Sequence, residues 1–221
     1  MLGNTRLFDY MDTLIIPAIF VTIKIVFISA ILSIIFGMIF GIILILTDKN
    51  GLTPNKILFN IIDKITDLIR AFPTLILIVA IAPITRFFVG TTVGATAAIF
   101  SITIACTPFA TRMTESSLKM VDEDIIKASK SYGASKFQII YKVMLVEALP
   151  SLVSNFTIML INMLNMTALA GAVGAGGLGA VALTYGYQQF DYAIMYFIVC
   201  ILIVFVLLIE KISKIIYKNL K

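Results

Sequence analysis

The sequence predicts an all-α integral membrane protein of five transmembrane helices, with a cytoplasmic helix-turn-helix between the third and the fourth. Three observations carry this. The 221 residues are 60% apolar and only 13% charged, where a soluble domain carries roughly 25% charged residues. The apolar residues gather into runs, and a bilayer needs about 20 such residues per crossing. The basic residues between the runs are biased to one side. Such a chain must satisfy its own backbone hydrogen bonds inside the bilayer, which favours helices.

Composition also excludes functions. The net charge of +5 in a membrane chain records orientation and argues against a nucleic-acid partner. There is no histidine, so the commonest general base and metal ligand is missing. No catalytic residue and no metal ligand is assigned. Cys106 and Cys200 lie in apolar runs and read as small packing residues, not a disulfide. Asp9 and Asp12 precede a first apolar run too long for the core of a cleaved signal.

The first apolar region, Thr13 to Leu46, reads as an interfacial lead-in to about Phe20 and a span from Val21. Lys24, near its outer end, either snorkels to the headgroups or is a functional buried lysine. Gly37 and Gly41 form a G-x-x-x-G, a pattern that supports close helix packing. Asp48 to Pro54 mark a loop. Ile57, Leu58, Ile61, Ile62, Ile65, Leu68 and Ile69 recur at helical spacing and predict an amphipathic helix. The second span is expected from about Arg70 to Phe88, and the third from Val93 to Thr111. Residues 112–149 form a long polar interruption. The fourth span is expected from Pro150 to Ala168. The glycine-rich stretch Gly171 to Ala180 follows, then a fifth span from Tyr192 to Ile209 and a basic tail. No internal repeat appears, which weakens the case for a carrier built from inverted repeats.

Charge sets the orientation. Lys49, Lys56, Lys64 and Arg70 fall in one loop, and Arg112, Lys119, Lys127, Lys130, Lys136 and Lys142 in another. Lys211, Lys214, Lys218 and Lys221 fall in the tail. The other side holds Arg6 and Arg86. The long interruption and the C-terminus are therefore expected in the cytoplasm and the N-terminus outside.

The interruption has the marks of two capped helices. Asp122 suits an N-cap, and Glu123 and Asp124 suit a helix N-terminus. Gly133 suits a left-handed helix end. Ser135 and Gln138 match a capping box. Pro150 is expected to follow the second helix, with Leu149 biased out of helical geometry. Phe137, Ile140, Tyr141, Met144 and Leu145 recur at helical spacing for packing on neighbours. The result is either a solvated linker or a rigid knob that receives a partner.

On these residues the stretch resembles the EAA loop of ATP-binding-cassette importer permeases. Lys127, Ala128 and Ser129 stand at the triplet, Gly133 at the glycine, and Val146 to Pro150 at the closing motif. Lys127 stands where the family has glutamate, a reversal of charge. "RAFPTLIL", "RFFVGTTVGATAA", "TPFATRMTESSL", "ALAGAVGAGGLG" and "YGYQQFD" further resemble the methionine importer permeases. The resemblance implies one permease domain over residues 1–221 of a multi-pass bacterial inner-membrane protein. It implies docking to an ATPase through Lys127, Ala128, Ser129, Ser131, Tyr132, Gly133, Ala134 and Ser135. It also implies a homodimer of permeases, two ATPase copies and an extracytoplasmic substrate-binding protein. The chain lacks a phosphate-binding loop, so ATP and Mg would be bound by the partner ATPase and no cofactor by this chain. The implied cargo is methionine, L or D, or a derivative. The alternative is another small amino acid.

Ser151, Ser154, Asn155, Asn162 and Asn165 share one helical arc, which either lines a translocation path or bonds to neighbouring helices. Met163, Met166 and Leu169 read either as a flexible apolar gate or as ordinary packing. The glycine-rich stretch allows close approach of two copies or a re-entrant segment. An ion-driven carrier would want an ionisable residue deep in a span, and Lys24 sits near an end. An intramembrane enzyme would have to use Ser29 or Ser101 without histidine and without a Gly-x-Ser-x-Gly.

Overall fold

A computed structural model describes residues 7–220, and the described residues are helical, with no strand among them. Arg6 and Lys221, which enter the charge balance, lie outside them. The elements are α1 (Met11–Thr47), α2 (Lys56–Ala71), α3 (Thr74–Ala80), α4 (Ala82–Val89) and α5 (Ala95–Lys119). Then come α6 (Glu123–Ser131), α7 (Lys136–Ala172), α8 (Gly177–Val181) and α9 (Tyr192–Asn219). Wider π-helical turns open α1 at Met11–Ile15, interrupt α7 at Ile139–Met144, and extend α8 over Ala182–Gln188.

Helices α1, α7 and α9 are each long and apolar enough to cross a membrane. At about 1.5 Å per residue, the 37 residues of α1 and of α7 exceed a ~30 Å hydrocarbon core. Helix α1 runs unbroken through Phe20, so the interfacial lead-in is part of one helix. The single second span expected from Arg70 to Phe88 is instead broken twice. Pro73 is extended, at φ −56° and ψ 130°, and separates α2 from α3. The chain breaks again at Ile81, and Pro83 falls in the first turn of α4, where its missing N–H costs least. Pro150 does not end a helix. It lies inside α7, which passes through Leu149 without interruption.

The chain divides into two compact units. The first comprises residues up to Ser33, Phe72–Cys106 and Leu160–Glu210; the second comprises Ile34–Ala71, Thr107–Met159 and the tail from Lys211. In the first unit Ile15, Ala18, Leu178, Val181, Ile194 and Ile198 form a buried cluster. The glycine-rich stretch is pinned there at two points. Gly94 N–H donates to the Gly174 carbonyl at 2.8 Å, and Leu178 N–H donates to Thr22 Oγ1 at 2.8 Å. Buried hydroxyls join α4 to α5 through Thr85 and Ser101, 3.2 Å apart.

In the second unit Leu118, Val121, Ile139, Met144, Ala148 and Leu152 form the core, with Ile42, Ile45, Leu52, Ile126 and Ala134 packed around them. The G-x-x-x-G of α1 works as its spacing predicts. A Cβ on Gly37 would collide with Ala110, and one on Gly41 with Thr114. Glycine at both positions lets α1 and α5 approach at backbone distance.

Candidate functional site

The knob is built from α6, the turn after it, and the start of α7. Asp122 caps α6, its Oδ1 accepting from Asp124 N–H at 2.8 Å. Gly133 follows with φ +78°, the left-handed geometry that ends a helix and that a Cβ disfavours. Ser135 and Gln138 then complete a reciprocal capping box: Gln138 Oε1 accepts Ser135 N–H at 2.8 Å, and Ser135 Oγ accepts Gln138 N–H at 3.3 Å. Two helices with caps this close leave the turn little freedom.

Burial sorts the knob into a root and an exposed face. Ile126, Ala134, Ile139 and Met144 root it in the core that also holds Leu118 and Val121. Lys127, Ala128, Ser131, Tyr132, Gly133 and Ser135 are exposed, and Tyr132 is 91% so. Ser129 and Ser131 turn their hydroxyls back onto the Ile125 and Lys127 carbonyls. Phe137 and Tyr141, expected to pack on neighbours, are instead exposed and lie against each other with tilted rings whose centres are 4.2 Å apart. Ile140 and Met144 take the buried side.

Lys127 lies 3.1 Å from Asp124 and 3.5 Å from Glu123 of its own helix. The hydrogen bond and charge of Asp124, with Glu123 behind them, raise its pKa above the ordinary lysine value. It therefore stays fully cationic.

The polar arc of α7 divides between the two units. Ser151 and Asn155 belong to the second, where both donate to Ser117 Oγ of α5, at 3.2 and 2.8 Å. Ser117, itself fully buried, donates to the Met113 carbonyl at 2.9 Å. A groove of about 530 Å³ opens beside them, lined in part by Ser116, Glu147, Ser154 and Tyr217. Asn162, Met163, Met166 and Leu169 belong to the first unit. Met163 is fully buried there, Asn162 and Met166 are half-buried, and Leu169 is 41% exposed. Lys24 is exposed. Cys106 is buried and Cys200 exposed, and both are free thiols. Among the described residues no group of carboxylates and thiols is arranged to hold a metal ion.

One group was not singled out from sequence. Arg112 on α5 meets Asp63 at 2.6 Å and Asp67 at 2.8 Å on α2, and Glu115 at 2.7 Å on its own helix. Glu115 also meets Lys119 at 2.7 Å, and Lys119 lies 3.7 Å from Asp48. Burial pulls the pKa of Arg112 down, but hydrogen bonds to Glu115, Asp63 and Asp67 outweigh it and leave it raised. Lys119 behaves likewise: burial lowers it, while Glu115 and Asp48 raise it further than Arg112 offsets. The available signal was the spacing. Two aspartates one turn apart face an arginine, a glutamate and a lysine that descend one side of α5.

Long apolar helices joined through a capped polar knob fit a membrane transport component. The chain belongs to the family of binding-protein-dependent transport system inner membrane components, whose profile matches residues 33–221. It is accordingly an inner-membrane permease subunit and not an enzyme.

Particular relatives sharpen this. The chain is 39% identical over 200 residues to the probable D-methionine transport system permease protein MetI of Vibrio cholerae, covering 90% of this chain and 89% of that one. It is 36% identical to the D-methionine transport system permease protein MetI of Escherichia coli K12, over 68% and 69% of the two chains. Among solved structures it matches an inward-facing MetNI methionine ABC transporter with TM-score 0.93 and 34% identity, over 96% of this chain and 98% of that one. It shares its fold with a chain of an amino acid ABC transporter at TM-score 0.80 and 17% identity.

Proposed function

We propose that this chain is the membrane permease of an ATP-driven methionine importer, moving D- or L-methionine or a related derivative into the cytoplasm. The observation that carries the reading is the likeness, over 90% of the chain, to a permease named for D-methionine transport. The proposed assembly pairs two copies of this chain with two copies of an ATPase, which bind ATP and Mg, and an extracytoplasmic binding protein delivers the substrate. Each copy crosses the membrane five times. The broken α3–α4 segment and α5 supply the crossings between α1 and α7. The knob and the C-terminus face the cytoplasm, as the clustering of basic residues favours.

Each knob docks in its ATPase through the exposed residues from Lys127 to Ser135. Closure of the ATPases on ATP displaces the knobs, and rigid-body motion of the rooted helices opens and shuts the path. The root matters here, because a knob packed on Leu118 and Met144 passes force to α5 and α7 together. Ser151 and Asn155 offer polar contacts along the path, with Asn162 further along α7. Met166 and Leu169 form the apolar constriction, with Met163 packed behind them.

Gentle detergent purification of the tagged chain from its native membrane, with mass spectrometry of what accompanies it, tests this. The expected companion is an equimolar protein bearing a phosphate-binding loop. Self-association alone, under conditions that preserve comparable complexes, would contradict the reading.

A further inference from the structure

Helix α2 is held to its unit by charge more than by burial. Of its 16 residues only Thr66 is buried. Ile57, Ile61, Ile65 and Leu68 stand exposed along one face. On another face Asp63 and Asp67, one turn apart, converge on the single guanidinium of Arg112. Arg112 is itself 17% exposed at its side chain, and Glu115, which it also grips, is 7% exposed. Lys119 carries the chain of charges on to Asp48 in the loop after α1. Between Glu115 and Lys119 on α5 lies Leu118, a buried member of the core that roots the knob.

Such a network is a weak source of net stability, because desolvation of Arg112 and Glu115 cancels much of the attraction and solvent screens the exposed Asp67 and Lys119. What it supplies is geometry. A guanidinium fork that meets two carboxylates fixes angle as well as distance, which a lysine ammonium cannot do. Without Arg112, Asp67 would keep only Arg70 of its own helix at 3.6 Å and Glu115 only Lys119 of its own helix at 2.7 Å, and the ion pairs of Asp63 and Asp67 to α5 would be lost. On the reading of the chain as an importer permease, we propose that Arg112 and Glu115 are positioning residues for transport. Their ion pairs oblige α2 to follow the foot of α5, so displacement of the knob reaches α2 as well as α5 and α7.

The test uses the assembled complex with its ATPase and binding protein in proteoliposomes, reading methionine uptake and ATP hydrolysis together. For Arg112→Gln, hydrolysis persists while uptake per ATP falls about tenfold, within the range of coupling energies between sites. Arg112→Lys is intermediate. If Arg112→Gln does not assemble, Asp63→Asn with Asp67→Asn cuts the link from the α2 side and gives the same split. A covalent bridge separates positioning from mere stability. Asp63→Cys with Arg112→Cys, in a chain with Cys106→Ala and Cys200→Ala, is joined by a short thiol cross-linker. Uptake per ATP recovers on joining. Unchanged coupling in the severed variants, or no recovery on joining in a complex that hydrolyses ATP, would overturn the link while leaving the importer reading intact. A wild-type complex that hydrolyses ATP without moving methionine would overturn both.

Discussion

At Gly133 the backbone has φ +78° and nothing stands within 4 Å of where a Cβ would be. The penalty for a side chain there is conformational, not steric, and for a β-branched residue it is about 1–3 kcal/mol. Gly133→Val is therefore expected to insert and assemble normally but to lose most uptake, whereas Gly133→Asn, which tolerates this conformation, keeps it. Membrane fractionation beside an uptake assay checks both. Lys127 presents a different case. Its partners are exposed carboxylates of its own helix, and solvent screens such pairs so that they add little to stability. Lys127→Glu is expected to leave assembly intact, and co-purification with the ATPase measures it. Loss of the partner would show that the docking groove requires a cation at this position.

The ion network has a predictable response to pH. Lys119 has a folded-state pKa above its ordinary value. Its stabilising contribution is complete below the unfolded lysine value of about 10.4 and is lost only as pH rises through the higher folded value. Thermal stability of the purified chain is therefore expected to show no loss from Lys119 between about pH 7 and pH 9. A fall within that window that disappears in Lys119→Met would contradict the assignment.

Among the elements, the packing of α1 on α5 depends on glycine at 37 and 41. Gly37→Leu is expected to lower stability by about 1–3 kcal/mol through overpacking, seen as a lower melting temperature in detergent. The same element was legible in sequence, because a G-x-x-x-G in an apolar run has a direct steric meaning. The caps of the knob were legible for a similar reason: Asp122, Gly133, Ser135 and Gln138 each satisfy a local backbone need that spacing alone reveals. Proline was harder to read. Pro83 coincides with a break in the second span while Pro150 is absorbed within α7, and both have the same local chemistry. What differs is the tertiary setting, since α7 continues as one packed helix through Ala148 and Leu152. The burial of Ile140 with the exposure of Tyr141 was likewise decided by π-helical turns that shift the helical phase. The spacing of Asp63 and Asp67 and of Arg112, Glu115 and Lys119 is visible locally, but the 45- to 49-residue separation between the two groups hides that they meet.

At the scale of the whole molecule, composition was enough for an all-helical membrane chain, since 60% apolar residues gathered in long runs leave the backbone to satisfy its own hydrogen bonds. The cargo is written less clearly. None of Ser151, Asn155, Asn162, Met166 or Leu169 has a chemistry that singles out one amino acid, and the resemblance to methionine permeases rests on longer stretches of chain. The measurement that tests the central claim most directly is uptake of labelled methionine by cells that lack their own methionine importers. These cells would express this chain with its ATPase and binding protein. The predicted result is uptake that needs ATP, is competed by unlabelled methionine and is abolished when this chain is left out. Uptake that is indifferent to the chain, or that follows an ion gradient in the absence of ATP, would contradict it.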